Sequence, residues 1–305
     1  MHRLALVIPT KDRPEDLRRL LASVAAQTRR PEQVIVVDGS DPPVQAVCNG
    51  FRDFPLDYVR VFPPSLARQR NAGMARLRRE ITHAGYLDDD IVLERDAIEQ
   101  MMHAWGRADD QVGGIGFNII NRPRPAGMWL KRLFLIEHRQ PGRMLRSGCA
   151  ASHYFCERDI EADWLSGGAV VWRREVIDRF RYDEWFVGTG LLEDVDFSFN
   201  VRGAYRLRVA SAARLAHYSR PIRPESQYLL GKWQIVNHMY LVRKYRDRGL
   251  RATAAWWANA GMVLIHVAGA LARRDRTLWL RAQGNLAGIV SELRGRRERI
   301  GGFLK

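Results

Sequence analysis

The sequence predicts an α/β protein, a mostly parallel sheet flanked by helices, with a helical C-terminal extension. Three observations predict it. Short β-branched runs that end at Pro or Asp alternate with amphipathic stretches over the first 90 residues. Each such strand–helix–strand unit implies a parallel sheet, because parallel neighbours need a long crossover. Beyond Pro224 the pattern is helical to the end.

The elements follow in order. Leu4 to Ile8 reads as a buried strand stopped by Pro9, and Asp12 as the N-cap of a helix with Pro14 in its first turn. Leu17, Leu20, Leu21 and Val24 give that helix a buried face. Val34 to Val37 is a second strand, stopped by Asp38-Gly39-Ser40, and Tyr58 to Phe62 a third. Ser65 to Arg79 reads as a helix, and Gly85 to Leu87 as a strand running into Asp88-Asp89-Asp90. Next come a helix over Asp96 to Trp105 and a strand over Val112 to Ile120. Arg122 to Gly142, rich in prolines and arginines, reads as irregular. A strand over Ala169 to Trp172, a helix over Glu193 to Arg202 and a strand within Arg206 to His217 complete the set. The expected organisation is a larger domain over 1–220, in two halves (1–90 and 91–220). A basic helical extension over 221–305 follows.

Composition narrows the class. With 46% hydrophobic and 27% charged residues, the 305-residue chain can bury a full core. Three cysteines do not make a disulfide framework and fit a reducing compartment. Cys149, His153 and Cys156 are spaced like part of a zinc site, but no fourth ligand completes it. Leu4 to Ile8 is too short for a signal peptide, so the expected location is cytoplasmic. The net charge is +15, and Leu241 to Lys305 holds 14 Lys and Arg against 4 Asp and Glu. Such a region attracts phosphate, whether of nucleotide, nucleic acid or lipid.

Chemistry concentrates at the strand ends. Three adjacent carboxylates at the end of an apolar strand repel one another unless a cation or an arginine joins them. Their hard oxygens suit Mg²⁺ or Mn²⁺, and parallel sheets place ligands at strand carboxyl ends. The first βα junction, Ile8-Pro9-Thr10-Lys11-Asp12-Arg13-Pro14, lacks the glycine fingerprint of a dinucleotide site and has no P-loop. It nevertheless lies where a nucleotide sits in such folds, with Asp38 at the neighbouring strand end.

An ordered series of motifs runs along the chain. The series begins with Ile8 to Pro14 and Val36-Val37-Asp38-Gly39-Ser40, then continues with Ala67-Arg68-Gln69-Arg70-Asn71-Ala72-Gly73 and Leu87-Asp88-Asp89-Asp90. It closes with Trp164-Leu165-Ser166-Gly167-Gly168 and Leu192-Glu193-Asp194-Val195-Asp196. The series resembles the family 2 glycosyltransferases of the GT-A fold, a Rossmann-like sheet flanked by helices. The resemblance implies that Pro9, Thr10 and Arg13 form a nucleotide loop, and that Asp38 contacts base or ribose. It implies that Arg70 and Asn71 border the nucleotide diphosphate. Asp88 and Asp90 match the outer acids of the Asp-x-Asp motif. Asp90 is then the direct metal ligand, while Asp88 is a ligand or a contact to donor sugar, ribose or metal-bound water. Asp89 stays with the donor-binding set without a role of its own. Gly167, Gly168 and Glu193 match the loop near donor sugar and acceptor. Asp194 matches the catalytic base, and His217 a further metal ligand.

The function so implied is metal-dependent inverting transfer of a hexosyl group from a nucleotide-diphosphate sugar (UDP-, dTDP- or GDP-linked), with Mn²⁺ or Mg²⁺ as cofactor. The acceptor is a glycan or polyprenyl-diphosphate-linked glycan, of the bacterial surface-polysaccharide type. A sugar-phosphate nucleotidyltransferase is the first rival, and Pro9 to Pro14 lacks its glycine-rich signature. A nucleic-acid-binding protein is the second. Its charges would line a groove with interleaved aromatics, whereas here they concentrate beside an apolar segment, so no nucleic-acid partner is expected. That segment, Ala252 to Ala272, carries no charged residue and as a helix would reach ~30 Å. It reads first as a helix lying in a membrane interface, ahead of a buried helix and a true span. Peripheral association with the cytoplasmic face of the inner membrane is the corresponding expectation.

Overall fold

The structure is a computed structural model and describes residues 2–123 and 127–295. Its elements are β1 (Leu4–Thr10), α1 (Pro14–Ala25), β2 (Gln33–Asp38), α2 (Gln45–Cys48), β3 (Leu56–Arg60), α3 (Leu66–Met74), β4 (His83–Leu87), β5 (Ile91–Leu93), α4 (Ala97–Gly106) and β6 (Val112–Ile119). Then come α5 (Met128–Leu133), β7 (Ile160–Ala162), β8 (Ala169–Arg173), α6 (Arg174–Arg179), α7 (Glu193–Val201) and β9 (Arg206–His217). The helices α8 (Gln227–Lys244), α9 (Ala252–Arg273) and α10 (Arg276–Leu293) follow. Two compact units result. One comprises Met1–Arg124, His153–Glu184 and Glu193–Ser219; the other comprises Pro125–Ser152, Trp185–Leu192 and Arg220–Lys305.

The first unit is built on a nine-stranded sheet of order β3-β2-β1-β4-β8-β6-β9-β5, with β7 on β9. From β3 to β4 every pair is parallel. β8 then reverses direction against β4 and β6, and β6 runs parallel to β9. Alternation along β1 sorts the two layers, since successive side chains point to opposite faces. Leu4, Leu6 and Ile8 join Leu17, Leu20, Leu21 and Val24 of α1 on one face. Val7 joins Ala67 and Met74 of α3, Trp172 of β8 and Phe197 of α7 on the other. A sheet covered on both sides explains why β1, β2 and β4 are apolar runs with little alternation of type.

Several expectations are corrected in detail. Asp12 is not the cap of α1: Arg13 takes that position without a side-chain bond. Asp12 instead has a positive φ of 56° and accepts a hydrogen bond from the Asp41 N–H. Arg122 to Gly142 is not irregular throughout, because it contains α5, while 124–126 lie outside the described residues. β5 and β7 have three residues each, too short to show a period.

The second unit is helical. α8 and α10 pack at backbone contact: a Cβ on Gly284 would lie 2.0 Å from the Tyr228 carbonyl oxygen. The Asn285 amide donates to the Gly231 carbonyl at 2.8 Å, and Arg243 pairs with Glu292. In α5, Trp129 and Leu133 are exposed, and the Leu133 carbonyl accepts from the Trp257 indole N–H of α9 at 2.9 Å. By length and composition α9 is a helix that could cross a membrane. His238, expected nowhere, is buried in α8 between the Ser147 carbonyl and the Asn259 amide oxygen, each 2.8 Å away.

Candidate active site

All residues of this site belong to the first unit. β4 ends at Leu87, so Asp88, Asp89 and Asp90 leave the sheet at its carboxyl edge. The three then separate by environment. Asp89 points inward, where the Thr10 hydroxyl donates to it at 2.7 Å and Arg13 at 3.1 Å. Burial pushes its carboxyl up to about 7, against the pull of Arg13 and with a further push from Asp90. Asp89 therefore ties the triplet to the first βα loop, and Thr10 and Arg13 serve the acids directly. Pro9 is a buried strand residue in register with Val37.

Asp90 takes a second Arg13 contact at 3.1 Å on Oδ2, and its Oδ1 lies 2.9 Å from His217 Nε2. Apart from that contact, Oδ1 is buried without a hydrogen-bond donor. Burial opposes the charge of Asp90, yet His217 and Arg13 hold its carboxyl below the usual range. β9 delivers His217: β5 pairs antiparallel with it, Ile91 opposite His217. The Asn121 side chain clamps the His217 backbone, donating at 3.0 Å and accepting at 2.9 Å. Asp88, the most open of the three acids, faces the same space. Ligand atoms of Asp88, Asp90 and His217 all lie within 4.8 Å of one another.

The Ser166-Gly167-Gly168 turn joins this cluster to α7. Gly168 accepts from the Asp88 N–H at 3.1 Å, and the Gly167 N–H donates to Asp194 at 3.0 Å. Two consecutive residues thus bridge acids more than a hundred positions apart. No side chain fits here. A Cβ on Gly168 would sit 2.0 Å from the Asp88 carboxyl carbon, and one on Gly167 would sit 2.5 Å from Arg70. Asp194 also accepts from the Val195 N–H at 2.8 Å. Burial raises its carboxyl, partly offset by the Gly167 N–H and Arg70.

Three expected donor contacts have different neighbours. Arg70, 1% exposed, pairs with Glu193 and lies 3.1 Å from Asp88. It is a staple between β4 and α7 and holds the site from behind. Glu193 is likewise buried, and burial pushes its carboxyl well up. The Asn71 amide is spent on the backbone of Tyr182, donating to its carbonyl and accepting from its N–H, both at 2.9 Å. Asp38 is fully buried, and its carboxylate accepts from the N–H groups of Ser40 and Val44 and from the Tyr58 hydroxyl. A carboxylate so engaged inside the chain shapes the loop after β2.

Sequence reasoning missed Arg122. It follows β6, and its guanidinium lies 3.1 Å from His217 Nδ1. The available signal was position: β6 runs parallel to β9, with Ile119 opposite Leu215, so a residue just past β6 lands beside His217.

The donor set fits a divalent cation. Asp88, Asp89, Asp90, Glu193 and Asp194 gather around Arg13 and Arg70, with Arg122 at the rim. Asp90 Oδ1, buried with only the His217 ring beside it, is a place where a positive charge would be stabilised.

The profile of glycosyl transferase family 2 matches residues 5–158. Among solved structures, the chain is similar to TarS of S. aureus, with 18% identity over 77% of this chain and a TM-score of 0.51. It spans only 39% of the length of that TarS chain. It is also similar to S. aureus TarS 1-349 in complex with UDP, at 15% identity over 96% of this chain and 92% of the other, with a TM-score of 0.51. A third similar structure is the mannosyltransferase PcManGT from Pyrobaculum calidifontis in complex with GDP-Man and Mn²⁺. There the identity is 16%, over 95% of this chain and 87% of the other, with a TM-score of 0.59. At such identities the likeness is one of fold. No curated protein matches the sequence.

Proposed function

The chain belongs to glycosyl transferase family 2, and from that premise we propose that it moves a hexosyl group, with inversion, from a nucleotide-diphosphate sugar to a hydroxyl of a glycan or lipid-linked glycan. One observation carries the reading: the Gly167-Gly168 turn joins Asp88 of the acidic triplet to Asp194. Asp90, Asp88 and His217 would hold Mn²⁺ or Mg²⁺. When bound, the ion supplies positive charge against which the departing nucleoside diphosphate is stabilised. Asp194 accepts the proton of the acceptor hydroxyl, and its raised basicity suits that role. Glu193 and Arg70 keep the start of α7 in place. The catalytic role belongs to 1–220 and the anchoring role to 221–305. UDP, dTDP or GDP is the carrier; the similar structures in complex with UDP and with GDP-Man support a donor of this class.

Thermal unfolding against a panel of nucleotide sugars with Mn²⁺ tests this. A ligand at 100 times its Kd stabilises by about 2.7 kcal/mol, a shift of several degrees. One nucleotide sugar should give it with Mn²⁺ and much less with chelator. A flat response across the panel would overturn the assignment.

The helical unit supports a peripheral membrane location. In α9 the exposed residues Trp257, Leu264 and Leu271 recur seven positions apart, and so share one face. In α10 Trp279, Leu286, Val290 and Leu293, spaced seven, four and three apart, also share a face. Arg273, Arg274 and Arg276 lie between the two stripes in sequence. Paired apolar stripes with a basic turn match an interface-lying hairpin better than a single span. The reading places the enzyme at the cytoplasmic face of the inner membrane, acting on a polyprenyl-diphosphate-linked acceptor of surface-polysaccharide synthesis. The protein should sediment with anionic liposomes at low salt and release as salt rises. Absence of binding at low salt would remove the membrane assignment and leave the transferase assignment standing.

A further inference from the structure

Arg122 is held in the acidic cleft by a single weak partner. Its one hydrogen bond among the described residues is to His217 Nδ1, and it forms no ion pair there. Asp194, Asp88 and Asp90 nevertheless act on it electrostatically, while burial works against its charge. A guanidinium has only donors to offer, so Nδ1 must be the acceptor. The proton of a neutral His217 ring then sits on Nε2, the atom 2.9 Å from Asp90 and 3.1 Å from the Ser219 hydroxyl. Nε2 is also the ring atom on the side of Asp90, and a histidine ligates a cation only through a lone pair.

The contact between Arg122 and His217 therefore excludes His217 from the cation site. For Nε2 to offer a lone pair, the ring proton must move to Nδ1. Two donors would then face each other, and Arg122 must leave. The acceptor its planar fork suits is a phosphate group. Asp88, Asp90 and Asp194 do not replace His217 as hydrogen-bond partners in this arrangement, so the fork stays largely uncommitted.

We propose that Arg122 exchanges partners during donor binding: it holds His217 while the cation site is empty, and grips the nucleoside diphosphate once His217 turns to the cation. This rests on the transferase reading above. It adds a diphosphate-binding residue and couples its engagement to cation binding.

The test uses the full chain as wild type, Arg122→Ala and Arg122→Lys. Free Mn²⁺ is followed by electron paramagnetic resonance, and UDP, dTDP and GDP binding with saturating Mn²⁺ by calorimetry. Arg122→Ala should bind Mn²⁺ alone more tightly, because His217 is released. It should bind the preferred diphosphate roughly tenfold to a hundredfold more weakly, the range of hydrogen bonds to a charged group. Arg122→Lys should recover part of the diphosphate affinity. Gain in one affinity with loss in the other is a pattern that a merely structural lesion does not give. Unchanged diphosphate affinity in Arg122→Ala, or a parallel fall in both, overturns the proposal. A wild type that binds none of the three diphosphates with Mn²⁺ instead overturns the transferase reading and takes the proposal with it.

Discussion

Asp194→Asn should lower turnover by about 10²- to 10⁴-fold, the range associated with a positioned general base. Donor binding should survive, because the amide oxygen still accepts from the Gly167 N–H that now meets Asp194 at 3.0 Å. The pH profile gives a second readout. Burial holds the Asp194 carboxyl above its ordinary value, against the Gly167 N–H and Arg70. The acid limb of kcat/KM in the wild type should therefore lie above the ordinary aspartate range, and Asp194→Asn should lose that limb. Stability moves the other way. A carboxyl with a raised folded pKa costs stability as pH climbs from its unfolded value through its folded one. Above that window the ionised group is a burden, so Asp194→Asn should unfold at an equal or slightly higher temperature at neutral pH. Near-normal turnover in Asp194→Asn would remove the base assignment. A large fall in Tm would mean that the residue supports the fold instead.

Asp90→Ala should abolish Mn²⁺-dependent donor binding, weakening it by roughly a hundredfold or more. Loss of a ligand should cost at least as much as the 10- to 100-fold that outer-shell partners of metal ligands carry. Asp90 is the acid that contacts both His217 and Arg13. Its removal therefore deletes one ligand and releases another. The measurement is calorimetry with the preferred nucleotide sugar, with Mn²⁺ and with chelator. The wild type should show a large difference between the two conditions, and Asp90→Ala should show almost none. If Asp90→Ala keeps the Mn²⁺ dependence, the cation is held elsewhere. Asp89→Ala is a useful contrast, because Asp89 is spent on Thr10 and Arg13 and should change stability more than Mn²⁺ affinity.

Much of this was legible before any coordinates. Leu4, Leu6 and Ile8 against Leu17, Leu20, Leu21 and Val24 are local periodic patterns, and they pack as those patterns imply. The triplet stands where β4 ends, and the Ser-Gly-Gly turn where β8 begins. Other expectations failed for physical reasons. Asp12 has the side chain of a cap, but its positive φ and its bond to the Asp41 N–H come from the loop after β2. Nothing within a few residues of Asp12 announces that contact. α5 was hidden by the prolines and arginines around it.

The sequence by itself determined which residue types stand at which strand ends, because strand, turn and helix propensities act over a few neighbours. From that came the α/β class and the identity of the acids that matter. Only the tertiary structure decided which polar groups remain available. Asp38, Asn71 and Arg70 look like ligand contacts in one dimension, yet Tyr58, Tyr182 and Glu193 are hydrogen-bond or ion-pair partners for them inside the chain. Arg122 looks like one of many arginines, yet the register of β6 beside β9 sets it against His217. The physical reason is the same in each case. A buried polar group must find a partner, and that partner comes from whichever distant segment the sheet register brings alongside.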